Sequence, residues 1–134
     1  MDFIKYINTP VGRDAANPLA TRIKLTAGRL TGGWIYFPAG PAGLLHFRAR
    51  VNIHQILPFN PDASINLDDC VAPLHLNLDL VTPPYVIDCV TWNTSTEYDH
   101  ALTVAFFLNP PKQIAHNIPA LKNISLQAEG EEAA

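Results

Sequence analysis

Apolar and polar residues alternate along several stretches of this chain, and the alternation predicts β-strands. In LHLNLDL, four leucines share one face, while His75, Asn77 and Asp79 share the other. This period of two is typical of a strand with one buried and one solvated face. The inward-facing sets are Ile23 and Leu25; Leu45, Phe47, Ala49, Val51 and Ile53; Leu74, Leu76, Leu78 and Leu80; and Leu102, Val104, Phe106 and Leu108.

Further strands are predicted where apolar and β-branched residues cluster between turn residues. GWIYF is a continuous apolar run, and YVIDCVTWN, QILPF and SINLD add shorter candidates. Seven or eight short strands, each with one solvated face, are expected to form two antiparallel sheets packed face to face. The fold class predicted is therefore all-β, an antiparallel β-sandwich or jelly-roll-like (tulip-like) body.

The chain divides into three segments by composition. Residues 1–20 are predicted as an N-terminal arm, residues 21–110 as the β-sandwich body, and residues 111–134 as a C-terminal arm. Both arms contain prolines and isolated apolar residues, which we expect to contact other subunits. These predicted contact residues are Phe3, Ile4, Tyr6, Ile7, Ile114, Ile118, Leu121, Ile124 and Leu126.

The segment FPAGPAGLL between two predicted strands is rich in proline and glycine and carries no charge, hydroxyl or thiol. Pro38 and Pro41 lack a backbone N–H, and Gly40 and Gly43 permit backbone angles that other residues resist. This composition predicts a rigid hairpin connection. The alternative is a contact loop, with Pro38 and Pro41 at an interface between subunits.

Charge and apolar content exclude several classes of function. The formal net charge is −3 and the Lys and Arg residues are scattered, which argues against a nucleic-acid binder. No apolar run approaches the roughly 20 residues that span a bilayer. The N-terminus lacks the apolar segment of an export signal, so Cys70 and Cys89 are predicted to be free thiols, with a single disulfide as the alternative.

Candidate catalytic and metal sites are weak. The five histidines include no His-x-His pair, so no metal or cofactor is expected. The loop NPDASINLDD contains Asp62, Asp68 and Asp69, which predicts either an ordinary turn or a calcium site. The serines lack a nucleophile elbow and Cys70 has acidic neighbours, so no catalytic residue is predicted and the protein is not expected to be an enzyme.

The segment WNTSTEYDHA offers a different site, for a glycan. It contains two aromatic residues, Trp92 and Tyr98. Asn93 follows the first, and Asp99 and His100 follow the second. Sugar-binding β-sandwiches use an aromatic platform beside polar groups in this way. The alternative is a hairpin loop whose aromatic residues pack over the end of the sheet.

The segments GGWIYFPAGPAGLLHFRARVNIHQILPFNP, PPYVIDCVTWN and YDHALTVAFFLNP together resemble a pattern found in decoration (cement) proteins of tailed double-stranded-DNA phages. The resemblance covers about 75 to 80 of the 134 residues, within the predicted body. It implies a small homotrimeric structural protein on the outer capsid surface of the virion, with the major capsid protein and neighbouring copies of itself as partners. The alternative is a carbohydrate- or receptor-binding module of a virion tail, a spike or an enzyme.

Overall fold

The computed structural model describes residues 1–111, which form eight strands. The strands are β1 (Asp2–Thr9), β2 (Leu19–Lys24), β3 (Gly28–Phe37), β4 (Leu45–Val51), β5 (His54–Leu57), β6 (Cys70–Leu80), β7 (Val86–Asn93) and β8 (His100–Asn109). Within these residues there is no helix long and apolar enough to cross a membrane. The predicted all-β class is confirmed.

The strands form two antiparallel sheets of four strands each. Sheet A has the order β1-β8-β3-β6, and sheet B has the order β2-β7-β4-β5. Only β4 and β5 are consecutive strands that pair with each other, so the other connections pass between the sheets. The hairpins predicted for the Pro-Ala-Gly segment and for WNTSTEYDHA are therefore wrong, because each segment leads from one sheet to the other.

Buried side chains from both sheets form a single hydrophobic cluster. The inward set predicted on β8 is fully confirmed, since its four members are buried. On β6, Leu74 and Leu80 are buried, while the two leucines between them are partly covered. The prediction for Ile53 is wrong: the residue is 89% exposed, because β4 ends at Val51 and the chain turns there.

Part of the segment predicted as an arm over residues 1–20 is a strand, since Asp2–Thr9 form β1 of sheet A. Strand β1 pairs with β8 along its length, from Asp2 opposite Phe107 to Thr9 opposite His100. Ile7 lies in the hydrophobic cluster and Phe3 packs against it. The C-terminal residues named above, Ile114, Ile118, Leu121, Ile124 and Leu126, lie outside the described residues.

The two cysteines are free thiols on different sheets. Cys70 begins β6, whereas Cys89 is buried in the cluster at the centre of β7. Burial, with a smaller contribution from Asp88, raises the pKa of the Cys89 thiol to about 12. Cys89 therefore stays protonated at neutral pH and packs as a small apolar residue.

Candidate functional site

The outer side of sheet A presents apolar side chains across all four strands. The strand register aligns two neighbouring rows of outward residues, one on each of β1, β8, β3 and β6. The first row is Ile4, Ala105, Trp34 and Pro73, and the second is Tyr6, Thr103, Tyr36 and Val71. We call these eight residues the apolar face.

The apolar face lacks any charged residue and is open to solvent over much of its extent. Ile4, Tyr6 and Val71 are each at least 60% exposed, and Tyr36 is 40% exposed. The side chains of Trp34, Tyr36, Val71 and Thr103 enclose a shallow depression of about 490 Å³. Single exposed apolar residues are common on proteins, but a contiguous set across four strands is typical of a surface that binds another molecule.

The sequence forms this face because β1 and β3 carry apolar residues on both sides. In β3, Ile35 and Phe37 face the core while Trp34 and Tyr36 face outward. In β1, Ile7 faces the core while Ile4 and Tyr6 face outward. A strand covered by one sheet alone would normally carry polar residues on its outer side.

Two of the predicted contact residues therefore lie on an exposed surface, and two do not. Ile4 and Tyr6 belong to the apolar face, although they occupy a strand and not an arm. Phe3 and Ile7 point toward the core, where Ile7 belongs to the hydrophobic cluster and Phe3 packs against it. Successive residues of a strand point to opposite sides, so in DFIKYINT one pair lies on the outer side of the sheet and the other on the inner side.

The Pro-Ala-Gly loop is hydrogen-bonded to the segment NPDASINLDD, which follows β5. One carboxylate oxygen of Asp68 accepts the backbone N–H groups of Gly40 at 3.0 Å and Ala42 at 2.8 Å. Pro41 is buried and Pro38 is partly buried, so neither proline offers a fully exposed contact surface. Asp68 thus stabilises the crossing between the sheets.

The predicted glycan platform is not assembled. Trp92 is only 7% exposed, because the His46 ring stacks on it at 4.9 Å between centroids and the Arg48 guanidinium carbon lies 4.6 Å from the indole centroid. Asp99 accepts the backbone N–H of Val11 at 2.9 Å. Tyr98 is 66% exposed, whereas the Trp92 indole is covered and offers no open stacking surface beside the polar groups.

His46 is part of the packing around Trp92. Its Nδ1 lies 2.8 Å from the Ser64 hydroxyl, and the ring is parallel to the indole within 3°. Burial, together with the nearby positive charge of Arg48, lowers the pKa of His46. The neutral ring is thus favoured on this side of sheet B. His100, the histidine of the predicted glycan site, lies opposite Thr9 in the pairing of β1 with β8.

Buried polar side chains at the ends of β1 and β7 connect the two sheets next to the β7–β8 loop. The Thr9 and Thr91 hydroxyls are 2.8 Å apart, and both residues are fully buried. The Asn93 amide donates to the carbonyl oxygens of Thr9 at 3.1 Å and Tyr98 at 2.8 Å, and its oxygen accepts the N–H of Ser95 at 3.0 Å. Asn93 was predicted as a polar group near a sugar; it is instead a structural residue.

Metal binding gains no support from the described residues. In residues 1–111, no three His, Cys, Asp or Glu side chains come close enough to hold an ion. Asp68, one of the three carboxylates of the possible calcium loop, already accepts the two backbone N–H groups of the Pro-Ala-Gly loop.

Comparisons with protein-family models, with curated proteins and with solved structures found no match. Function is therefore inferred from the geometry of residues 1–111, and the apolar face of sheet A is the surface from which we infer it.

Proposed function

We propose that this protein is a structural virion protein, a capsid decoration (cement) protein that binds the outer surface of a phage head. The apolar face of sheet A is the observation that carries the proposal. In this account the two sheets form a β-sandwich, and the apolar face lies against the major capsid protein. Binding contributes free energy only in the assembled shell, which stabilises that shell against dissociation.

The area of the apolar face is smaller than that of a stable protein interface. With about 4.8 Å between strands and about 7 Å between successive outward residues, eight positions cover on the order of 250 Å². Burying that area contributes about 6 kcal/mol at 25 cal/mol per Å². Association itself costs at least about 4 kcal/mol, and a stable interface buries about 800 Å² per partner. The face therefore serves as the apolar centre of a larger contact.

Polar residues border the apolar face, as expected for the rim of a protein interface. Asp2 and His75 align with Phe107 and Gly32 in the next row of the sheet, and Asn8 is exposed on the same side of β1 as Tyr6. An apolar centre with a polar rim is the usual composition of a protein interface. Trimer formation and the contribution of residues 112–134 to a neighbour contact stay predictions.

Substitution of the apolar face tests the proposal. We expect Tyr6→Asp and Tyr36→Asp to weaken binding to phage heads that lack the decoration protein by at least about tenfold each. The reason is that a carboxylate would be desolvated against an apolar surface, at a cost above 1.4 kcal/mol. Co-sedimentation over a range of protein concentrations measures the apparent Kd.

The control is Tyr98→Asp, because Tyr98 is 66% exposed and Tyr6 is 65% exposed. The control should bind as the unchanged protein does, and all three variants should unfold at similar urea concentrations. If Tyr98→Asp weakens binding while the two face variants do not, the contact lies at the β7–β8 loop and the proposed face is wrong.

A further inference from the structure

A second surface, next to sheet B, has a different chemistry. A groove of about 970 Å³ lies beside the β4–β5 turn. Among residues 1–111, its polar lining consists of Arg48, Arg50, Asn52, His54, Gln55 and Asn60 and includes no Asp or Glu. We call this the basic groove.

Neither arginine of the basic groove has a carboxylate partner in residues 1–111. The guanidinium of Arg48 is held over Trp92, and its buried Nε has no hydrogen-bond partner among these residues. Arg50 lies opposite Asp88 in the register, but both oxygens of Asp88 accept bonds from Arg22, at 2.9 and 3.3 Å. A carboxylate in the groove would supply both arginines with the charged partner that they lack within residues 1–111.

Charge is segregated within the molecule. The four strands of sheet B carry Arg22, Lys24, Arg48 and Arg50 against the single carboxylate of Asp88, although the whole chain has a net charge of −3. The compensating acids include three glutamates near the end of the sequence, in QAEGEEAA. From residue 123 onward there is no Lys or Arg.

We propose that Glu129, Glu131 and Glu132 bind in the basic groove of the same chain. Carboxylates form the strongest and best-oriented hydrogen bonds with arginine side chains, which matches the two unpaired guanidinium groups of the groove. The inference goes beyond head binding and does not depend on it.

The acidic segment can reach the groove from the end of β8. Pro111 lines a cavity together with Asp79 and Leu80, while the neighbouring residue Leu78 lines the basic groove. The two sites therefore adjoin along β6. Seventeen residues lie between Pro111 and Glu129, and a segment of that length spans at most about 60 Å when extended. A tether of this kind gives a millimolar effective concentration, so even a weak contact is populated.

A spin label near the glutamates tests the proposal. We would attach a nitroxide to Gly130→Cys in a Cys70→Ser chain labelled with ¹⁵N; the buried Cys89 thiol stays unmodified. The expected result is loss of amide signal at Val51, Asn52 and His54 at low salt. The signals should return at about 1 M salt, where the Debye length falls to about 3 Å.

Three variants distinguish specific binding in the groove from general electrostatic attraction. Arg50→Gln should restore most of the lost signal, and so should the triple change Glu129→Gln, Glu131→Gln and Glu132→Gln. Lys24→Gln removes the same charge from sheet B outside the groove and should leave the signal loss unchanged. Equal effects of Arg50→Gln and Lys24→Gln would overturn the proposal.

Mixing chains decides whether the contact is intramolecular. A spin-labelled chain without ¹⁵N is added to a ¹⁵N chain without the label. The proposal predicts no signal loss in the mixture. Loss of amide signal in the mixture would contradict the proposal. So would unchanged groove signals in the chain that carries both the nitroxide and ¹⁵N. Because the experiment uses purified protein alone, failure of head binding would not alter its outcome.

Discussion

Gly33→Ala is expected to destabilise the protein by about 4 kcal/mol or more, which approaches the whole stability of many domains of this size. Gly33 lies on β3, the strand that joins β8 to β6 within sheet A, opposite Phe106. A Cβ at position 33 would overlap the carbonyl oxygen of Ala105 and lie 3.1 Å from the Phe106 Cα. These are backbone atoms of a central strand, so relief requires separating β3 from β8.

Urea unfolding followed by far-ultraviolet circular dichroism measures the effect. The control is Gly40→Ala, because Gly40 has a φ of +134° and no atom within 4 Å of an added Cβ. Its cost is that of the backbone conformation alone, about 1–2 kcal/mol. An unfolding midpoint for Gly33→Ala equal to that of Gly40→Ala would show that β3 and β8 are not as close as described.

Asn93→Leu is expected to cost about 3 kcal/mol. The change keeps a similar volume but leaves two carbonyl oxygens and one N–H, at Thr9, Tyr98 and Ser95, without their partner in a buried site. Each unsatisfied group costs about 1–3 kcal/mol, and partial access of water to Tyr98 and Ser95 reduces the sum. Urea unfolding gives the free energy, and amide exchange of residues 94–99 reports loosening of the loop.

The control for this change is Asn66→Leu. Asn66 is exposed and its amide donates one bond, to the Gly43 carbonyl at 3.1 Å, which water can replace. We expect a loss below about 1 kcal/mol there. Equal losses for the two variants would mean that Asn93 is not the buried link between the β1 end and the β7–β8 loop.

Strand periodicity predicted much of the fold from the sequence. The leucines of β6 and the apolar set of β8 alternate with other residues, and the outward placement of His46, Arg48 and Arg50 follows the same rule on β4. Strand β1 was missed as a strand because Ile4 and Tyr6 make its outer side apolar too. A strand with apolar residues on both sides shows no alternation of apolar and polar residues, so the sequence pattern does not reveal it.

Connections between sheets were the weakest prediction, for a topological reason. A Pro- and Gly-rich segment marks a turn but does not determine whether the next strand pairs with the previous one or joins the other sheet. Of the candidate site, Ile4 and Tyr6 were identified, whereas Trp34, Tyr36 and Val71 were not. Their alignment depends on the order β1-β8-β3-β6, which long-range pairing determines.

Side-chain footprinting of the bound protein tests most directly whether the apolar face is a protein-binding surface. Hydroxyl-radical labelling would be compared for the free protein and for the protein on phage heads. The account predicts several-fold protection of Tyr6 and Tyr36 on the heads, with Tyr98 labelled equally in both states, since it is as exposed as Tyr6 in the free chain. Unchanged labelling of Tyr6 and Tyr36 on fully occupied heads would contradict it.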